Sequence, residues 1–227
     1  MPNDTVVFAK RGLGLSKIYL GIGAGLAGFG IFVIFAISLL AGSSNEAVFL
    51  LPVGFMSFGV LMFSLPVLLL YVYDKNNGVL EYLLSLGWNQ SDIFKQYLKA
   101  ALFLALIIFT GEGAAILIAG AFSGSTVIFL LDVLVLLLTA FLSFSLVSLV
   151  NVAMMAFSSL QKQRVGANTP LGLVIALPFI FPTFYLSFLG FIPELIVFLS
   201  LCSLAFGLSV GLFLLSSRLI RREKMLP

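Results

Sequence analysis

The stretch of sequence that decides the fold is Val133-Leu-Val-Leu-Leu-Leu-Thr-Ala-Phe-Leu-Ser-Phe-Ser-Leu-Val-Ser-Leu-Val-Asn-Val-Ala-Met-Met155. It carries no charge, and it is longer than the roughly 20 apolar residues that a helix needs to cross a bilayer core. The whole chain of 227 residues is similar, because 61% of its residues are hydrophobic and only 9% are charged. A soluble fold could not hide so much apolar surface. With a mean hydropathy of +1.21, the sequence predicts an all-α integral membrane protein.

Uncharged stretches alternate with short polar turns along the rest of the chain. Apolar residues occur all round the uncharged stretches, so their length and continuity exclude strands. We predict a single transmembrane domain, 1–227, because the spans leave no room for a nucleotide-binding domain. The six predicted spans are about 18–40, 48–73, 99–120, 126–155, 171–191 and 195–217.

All 12 lysines and arginines lie on one predicted side of the membrane. The positive-inside rule therefore predicts a multi-pass protein of the cell (plasma) membrane with both termini in the cytoplasm. The net charge of +3 reflects this topology and contact with anionic lipid headgroups, and it does not indicate binding of nucleic acid. The cations are Lys10, Arg11 and Lys17; Lys75, Lys95 and Lys99; Lys162 and Arg164; and Arg218, Arg221, Arg222 and Lys224.

Several absences restrict the chemistry of the chain. It has no histidine, which excludes His-ligated metals and serine–histidine catalysis within this chain. Its one cysteine, Cys202, cannot form an intrachain disulfide, and we expect it to be a packing residue. Gly23-Ala-Gly-Leu-Ala-Gly28 has the spacing of a dinucleotide-binding loop but lies within a predicted span. Glycines four apart, Gly21 with Gly25 and Gly207 with Gly211, instead indicate close helix packing within one chain or between two copies.

The segment from Asp74 to Lys99 holds most of the polar residues between the predicted spans. Apolar residues recur at helical spacing in Val79-Leu-Glu-Tyr-Leu-Leu-Ser-Leu86, and Gly87 can end that helix. Asn89 and Ser91 can cap a second helix that leads into the third span. The short amphipathic helix is either an interfacial helix buried among headgroups or a docking element for a soluble partner.

Asn77-Gly-Val-Leu-Glu-Tyr-Leu-Leu-Ser-Leu-Gly87 resembles the Gly-(Thr/Val)-Leu-Glu-x-Leu-Leu stretch of ABC-2-type transporter permeases, which are membrane subunits of ATP-driven exporters. The six predicted spans are similar to those of the small haem-exporter-B-like group. In that family the segment, here about 78–86, is a cytoplasmic coupling helix between spans two and three. The resemblance assigns contact with a separate ATPase to Gly78, Leu80, Glu81, Leu83 and Leu84.

The resemblance also implies the rest of the assembly. A second permease copy, or a related permease, would complete a dimer around the translocation path. The chain itself would be neither an enzyme nor a cofactor protein, because ATP and Mg would be bound by the partner ATPase. An amphipathic interface helix commonly precedes the first span in this family, and this chain has only a short N-terminal segment for it.

Two acids, Glu112 and Asp132, lie within predicted spans on either side of a turn predicted at 120–125. Counted from that turn, both lie at a similar depth, about 10–12 Å from the outer end. Thr139 and Ser143 share a helix face with Asp132. Such acids normally face a bundle interior or an aqueous cavity. They are either protonated and hydrogen-bonded, or in contact with outer water, or part of a translocation path that favours a cationic or amine-bearing substrate.

Pro178 and Pro182 interrupt the fifth predicted span. Each removes a backbone donor and tends to kink a helix. The kink is either static, a gating hinge, or part of a re-entrant turn closed by Pro193.

Other functions of a six-helix membrane protein stay open at this point. The chain could be the substrate-binding membrane subunit of an uptake system, although such subunits need larger outer loops. It could also be an ion-coupled carrier or channel that uses Glu112 and Asp132. A membrane enzyme fits least, because histidine is absent and the two acids lack a recognisable protease motif.

Overall fold

The computed structural model describes residues 3–15, 17–40, 50–122, 126–158, 175–179 and 191–219, and every regular element in these ranges is helical. Residues 175–179 form a single helical turn. The longer helices in the described ranges are α1 (Asn3–Leu15), α2 (Lys17–Leu40), α3 (Leu50–Asn76), α4 (Val79–Ser85), α5 (Gln90–Phe122), α6 (Thr126–Ser158) and α7 (Phe191–Leu219).

Five of these helices are long and apolar enough to cross a membrane. They correspond to five of the six predicted spans, and their candidate spanning parts are Lys17–Ala36, Pro52–Asn76, Gln90–Phe122, Thr126–Met155 and Ile196–Leu215. The fifth predicted span, 171–191, falls mostly outside the described residues. The all-helical membrane fold is therefore confirmed, and the sixth crossing stays a prediction.

Helix α5 is longer than the predicted third span. It has 33 residues, or about 50 Å of helix, against a hydrocarbon core of about 30 Å. It begins at Gln90, directly after Asn89, and continues through Gly120 to Phe122. The second helix of the 74–99 segment and the third span are thus one uninterrupted helix. Gly120, where the turn was predicted to start, lies within that helix, and the rest of the predicted turn falls mostly outside the described residues.

Helix α3 is the central element, and it packs against α1, α2, α5 and α6. Of its candidate spanning window, 83% is buried within the protein, compared with 22% for α2. Lipid tails are as apolar as leucine, so membrane helices pack through shape and small residues rather than through hydrophobicity. Cys202 on α7 is fully buried, which fits the predicted packing role.

Glycines bring α2 and α3 together, but they are not the predicted ones. A Cβ atom added at Gly23 would lie 2.9 Å from the carbonyl oxygen of Gly59, and one added at Gly59 would lie 2.9 Å from the Ala27 nitrogen. Gly21 and Gly25, the predicted packing pair, have nothing within 4 Å of an added Cβ. The small-residue seam between α2 and α3 is therefore Gly23 with Ala27. Of the two alternatives for Gly21 and Gly25, packing within the described part of the chain is not observed, and packing between two copies stays a prediction.

Helix α1 covers the end of the bundle at which α3 finishes and α5 starts. Phe8 and Ala9 are buried, and the Phe8 and Tyr97 ring centroids are 4.7 Å apart. A Cβ atom at Gly12 would lie 3.2 Å from Val67, so α1 lies directly on the backbone of α3. The short N-terminal segment is thus a helix packed onto the bundle.

Candidate functional site

Two glycines set the limits of the predicted coupling helix. Gly78 has φ +72° at the N-cap of α4, and Gly87 has φ +86° after its end. The Trp88 amide donates to the Leu83 carbonyl (3.2 Å), and the Gly87 amide donates to the Leu84 carbonyl (3.1 Å). This pair of bonds is a Schellman motif, which places a left-handed residue after the helix. Because a left-handed conformation is costly for other residues, the sequence Gly-x8-Gly fixes a helix of this length.

The two faces of α4 differ sharply. Leu80 and Leu84 are buried against the bundle, whereas Tyr82 and Leu86 are 63% and 58% exposed and Glu81 is also exposed. A large exposed aromatic beside an exposed leucine and a carboxylate forms a compact amphipathic surface. We call Glu81, Tyr82 and Leu86 the α4 surface.

The structure therefore divides the five residues predicted for ATPase contact. Leu80 and Leu84 anchor the helix, and Leu83 is half-buried and packed against the core. Gly78 is half-buried and begins the helix. Only Glu81 lies on the α4 surface. Tyr82 and Leu86 were not predicted, although their position opposite Leu80 and Leu84 on the helix could have identified them.

A buried ion pair lies just before α4. Asp74 is fully buried near the end of α3, and its Oδ1 accepts a hydrogen bond of 2.6 Å from Nη2 of Arg11. Its Oδ2 accepts a bond of 2.5 Å from the Tyr97 hydroxyl. Three helices, α1, α3 and α5, thus meet on one carboxylate. A further hydrogen bond of 3.1 Å joins Thr5 of α1 to Gln96 of α5.

Sequence reasoning missed this ion pair. The sequence marks Arg11 only as a topology signal and Asp74 only as the start of the polar segment 74–99. The partners are 63 residues apart, and no local pattern connects positions so distant. The available signal was an acid at the end of an apolar helix, which needs a cation or a donor when it is buried.

Asp132 lies beside the C-terminal end of α5. It is 5% exposed, and its Oδ2 would be 2.7 Å from a Cβ atom at Gly120. Only glycine leaves room for the carboxylate at this point. Oδ2 has no hydrogen-bond partner among the described residues.

Glu112 lies deeper in the bundle than Asp132 does. It precedes Gly120 by eight residues, or about 12 Å along α5, so the two acids are not at the same depth as predicted and do not form a pair. Glu112 is 2% exposed, and neither of its carboxylate oxygens has a partner among the described residues.

The register of α3 and α5 places Ser57 level with Glu112. The Tyr71 and Tyr97 rings are 5.2 Å apart. Ser57 precedes Tyr71 by 14 residues on α3, or about 21 Å, and Glu112 follows Tyr97 by 15 residues on α5, or about 22 Å. Because the two helices are antiparallel, both distances run in the same direction from the tyrosine pair. Ser57 is fully buried, and its hydroxyl also has no partner among the described residues.

The register of α5 and α6 adds Thr139 to the same level. A Cβ atom at Gly113, the neighbour of Glu112, would lie 3.7 Å from Leu136 of α6. Thr139 follows Leu136 by three residues, so it lies within one helical turn of this contact. Thr139 and Ser143 are both fully buried, with hydroxyls that lack partners in the described part of the chain. We call Ser57, Glu112, Thr139 and Ser143 the polar layer.

The polar layer combines the carboxyl group of Glu112 on α5 with one hydroxyl from α3 and two from α6. Unpaired buried polar groups are costly in a membrane and usually mark a place where a substrate or ion passes. Glu112, Thr139 and Ser143 were predicted, and the structure adds Ser57. An isolated serine in an apolar span gives no sequence signal by itself. Asp132, the fourth predicted residue, lies nearer the C-terminal end of α5.

The remaining predicted features are placed only in part. Pro178 is exposed on the turn 175–179, and Pro182 lies outside the described residues, so the hinge stays a prediction. No group of three metal-ligating side chains occurs among the described residues. Compared with protein-family models, with curated proteins and with solved structures, the chain matches none of them.

Proposed function

We propose that this chain is the transmembrane subunit of an ATP-driven exporter of the ABC-2 type, coupled through α4 to a separate ATPase. The observation that carries the proposal is the α4 surface. A seven-residue helix, fixed at both ends by left-handed glycines and anchored by two buried leucines, presents a tyrosine, a leucine and a glutamate to the solvent. A rigid exposed helix of this kind suits a groove on a soluble partner.

The buried ion pair supports the same proposal. Arg11, Asp74 and Tyr97 tie α1 and the ends of α3 and α5 together, directly beside the helix that would receive the partner. A coupling element must be stiff where it joins the spans, because a soft joint would absorb the movement of the partner. Helix α1 supplies that stiffness, and it corresponds to the N-terminal interface helix common in ABC-2 permeases.

The polar layer and Asp132 are our candidates for the translocation path. Two copies of the chain, or this chain and a related permease, would enclose the path between them. Glu112 and Asp132 would favour a cationic or amine-bearing substrate. Asp132 of α6 lies beside Gly120, which is about 12 Å along α5 from Glu112. The two acids would therefore be two successive binding positions rather than one site, and each carboxylate should be tested separately.

Helix α2 offers a surface for the second copy. Gly21 and Gly25 have nothing within 4 Å of an added Cβ, and they are flanked by the exposed Ile18 and Ile22. We propose that this glycine face meets its counterpart in the dimer. Cysteines introduced singly at Gly21 and Gly25 should cross-link two chains, whereas a cysteine at the exposed Ile118 on α5 should not.

The coupling proposal is tested by isolating the tagged chain from its native membranes. The wild-type chain should co-purify with an ATP-binding-cassette ATPase. Tyr82→Ala and Glu81→Arg should abolish that association, since each alters the exposed face without touching Leu80 or Leu84. Asp92→Arg, an equivalent charge reversal at an exposed position in the first turn of α5, is the matched control and should leave the association intact.

Transport measurements complete the test. If the purified chain transports without any ATPase, the exporter proposal is wrong. The path assignment is checked with Glu112→Gln and Asp132→Asn, singly and together. Loss of transport with an intact ATPase complex supports the assignment, and unchanged transport by the double variant contradicts it.

The polar layer favours one alternative function, an ion-coupled carrier. A buried carboxyl group with serine and threonine hydroxyls near its depth is also what a proton or a small cation would bind. The two functions differ in their energy source. A carrier would drive substrate flux from an ion gradient in vesicles without ATP, and Glu112→Gln would remove that flux.

A further inference from the structure

A lateral groove between α5, α6 and α7 opens on the outside of the described helices. Its volume is about 900 Å³, within the range of sites that enclose a sizeable ligand. The walls are aliphatic and aromatic side chains, and several of them are exposed outside the bundle, among them Leu106, Leu137, Phe141 and Phe206. We call this cleft the lateral groove, and it is separate from the polar layer.

One end of the lateral groove is polar and the other is apolar. Lys99 and Ser148 line the end nearest α1, together with Thr5 of α1 itself. The apolar end is at Leu137, which is 11 residues from Ser148 on α6, or about 16 Å. The groove thus extends through about half of the hydrocarbon core, from the headgroup level to the bilayer centre.

The charge at the polar end selects the ligand. Lys99 is exposed, and none of the described residues that line the groove is a carboxylate. A lysine at headgroup level above an apolar cleft is complementary to a phosphate attached to acyl chains. We propose that the lateral groove is a binding site for an anionic phospholipid, taken from the leaflet on the α1 side, with its phosphate at Lys99 and an acyl chain along Phe103 and Phe141.

This site is independent of the exporter proposal. It requires only that the helices span a bilayer, and it would exist in a permease, a carrier or a channel. It predicts that the protein selects anionic lipids at one defined position and not over its whole lipid-facing surface. A single lysine near the headgroups favours an anionic over a zwitterionic lipid by about fivefold.

The test uses a tryptophan reporter in vesicles of equimolar phosphatidylcholine and phosphatidylglycerol. Trp88, the one natural tryptophan, is replaced by Phe, and Phe103→Trp places the reporter in the groove. Bromine quenchers are put on the chains of either the anionic or the neutral lipid. The anionic lipid should quench the groove reporter with about fivefold preference. With Ile118→Trp, on the exposed face of the same helix, the preference should be about one.

Two variants separate the groove from a general attraction to positive charge. Lys99→Gln should reduce the preference at the groove reporter to about one, while Lys95→Gln, an exposed lysine one turn away, should leave it unchanged. Ala140→Phe fills the groove without changing any charge, and it should also remove the preference. If Ala140→Phe keeps the fivefold preference, the preference comes from Lys99 alone, and the proposal that the groove binds the lipid is wrong.

One further outcome would contradict the proposal. If neither brominated lipid quenches the groove reporter while both quench the Ile118→Trp reporter, protein covers the groove instead of lipid. That result would identify the cleft as an interface with a second copy or another membrane protein. Quenching at both reporters with no preference for either lipid would show an ordinary lipid-facing surface.

Discussion

The close approach of α2 and α3 at Gly23 can be tested with a single methyl group. In Gly23→Ala the new Cβ atom would lie 2.9 Å from the Gly59 carbonyl oxygen and 3.0 Å from the Phe63 nitrogen. Both neighbours are backbone atoms of α3, so no side chain can rotate away. The two helices must separate by several tenths of an ångström along their shared seam. Gly25→Ala, half a turn away on α2, adds the same methyl group where nothing in the same chain lies within 4 Å. It is the control in the monomeric chain in micelles, where the proposed dimer contact at Gly25 is not made.

The pair of variants isolates the packing energy. Overpacking of a well-packed contact costs about 1–3 kcal/mol. Replacing a helical glycine by alanine gains about 0.5–1 kcal/mol in water, and less where the helix persists in the unfolded state. That gain is common to both variants and cancels in their difference. We therefore expect Gly23→Ala to be less stable than Gly25→Ala by about 1–3 kcal/mol.

The measurement is reversible unfolding in mixed micelles with increasing dodecyl sulfate. Trp88 is half-buried, packs against the core and is the single tryptophan, so its fluorescence reports unfolding without a label. Gly59→Ala should behave like Gly23→Ala, because its added Cβ would lie 2.9 Å from the Ala27 nitrogen. Equal midpoints for Gly23→Ala and Gly25→Ala would refute the register of α2 on α3.

Three further predictions concern α1, α4 and the polar layer. Arg11→Gln leaves the buried Asp74 without its cation. The variant should lower the free energy of unfolding by about 1–3 kcal/mol, which is less than for a fully buried pair because Arg11 is 41% exposed. It should also increase maleimide labelling of a cysteine introduced by Ala9→Cys. Lys10→Gln should have neither effect. Gly87→Ala meets no atom within 4 Å but keeps a left-handed backbone, so it should cost about 1–2 kcal/mol; the helical Gly111→Ala should cost nothing in the same unfolding assay. Ser57→Ala removes a hydroxyl without a described partner and should leave stability within about 0.5 kcal/mol, yet lower transport; unchanged transport would remove Ser57 from the path.

The membrane class and five spanning helices were predictable because they depend on composition and length alone. The ends of α4 were predictable for a similar reason: Gly78 and Gly87 impose local backbone conformations that need no distant contact. The resemblance to ABC-2 permeases rests on that same stretch, and the proposed function is its consequence. It stays a proposal until the partner is identified.

Helix register could not be predicted in the same way. Glycines at 21, 23, 25 and 28 offer several small-residue faces, and in lipid no gradient of hydrophobicity selects among them. The choice of Gly23 depends on Gly59 in another helix. The same reasoning applies to the polar layer. Ser57 can be assigned to it only when the contact between Tyr71 and Tyr97 has fixed the register of α3 on α5.

The carboxylate of Asp74 joins α1, α3 and α5, which are far apart in sequence, into one rigid unit. Helix α4 is held by Leu80 and Leu84 on the bundle, and the ends of α3 and α5 that flank it are joined to each other and to α1 through Arg11 and Tyr97. A force on the exposed side of α4 would therefore be transmitted to the ends of α3 and α5. It would act as a torque on α3, the most deeply buried of the described spanning helices. The α2–α3 seam and the polar layer both lie along that helix, so they would be displaced together.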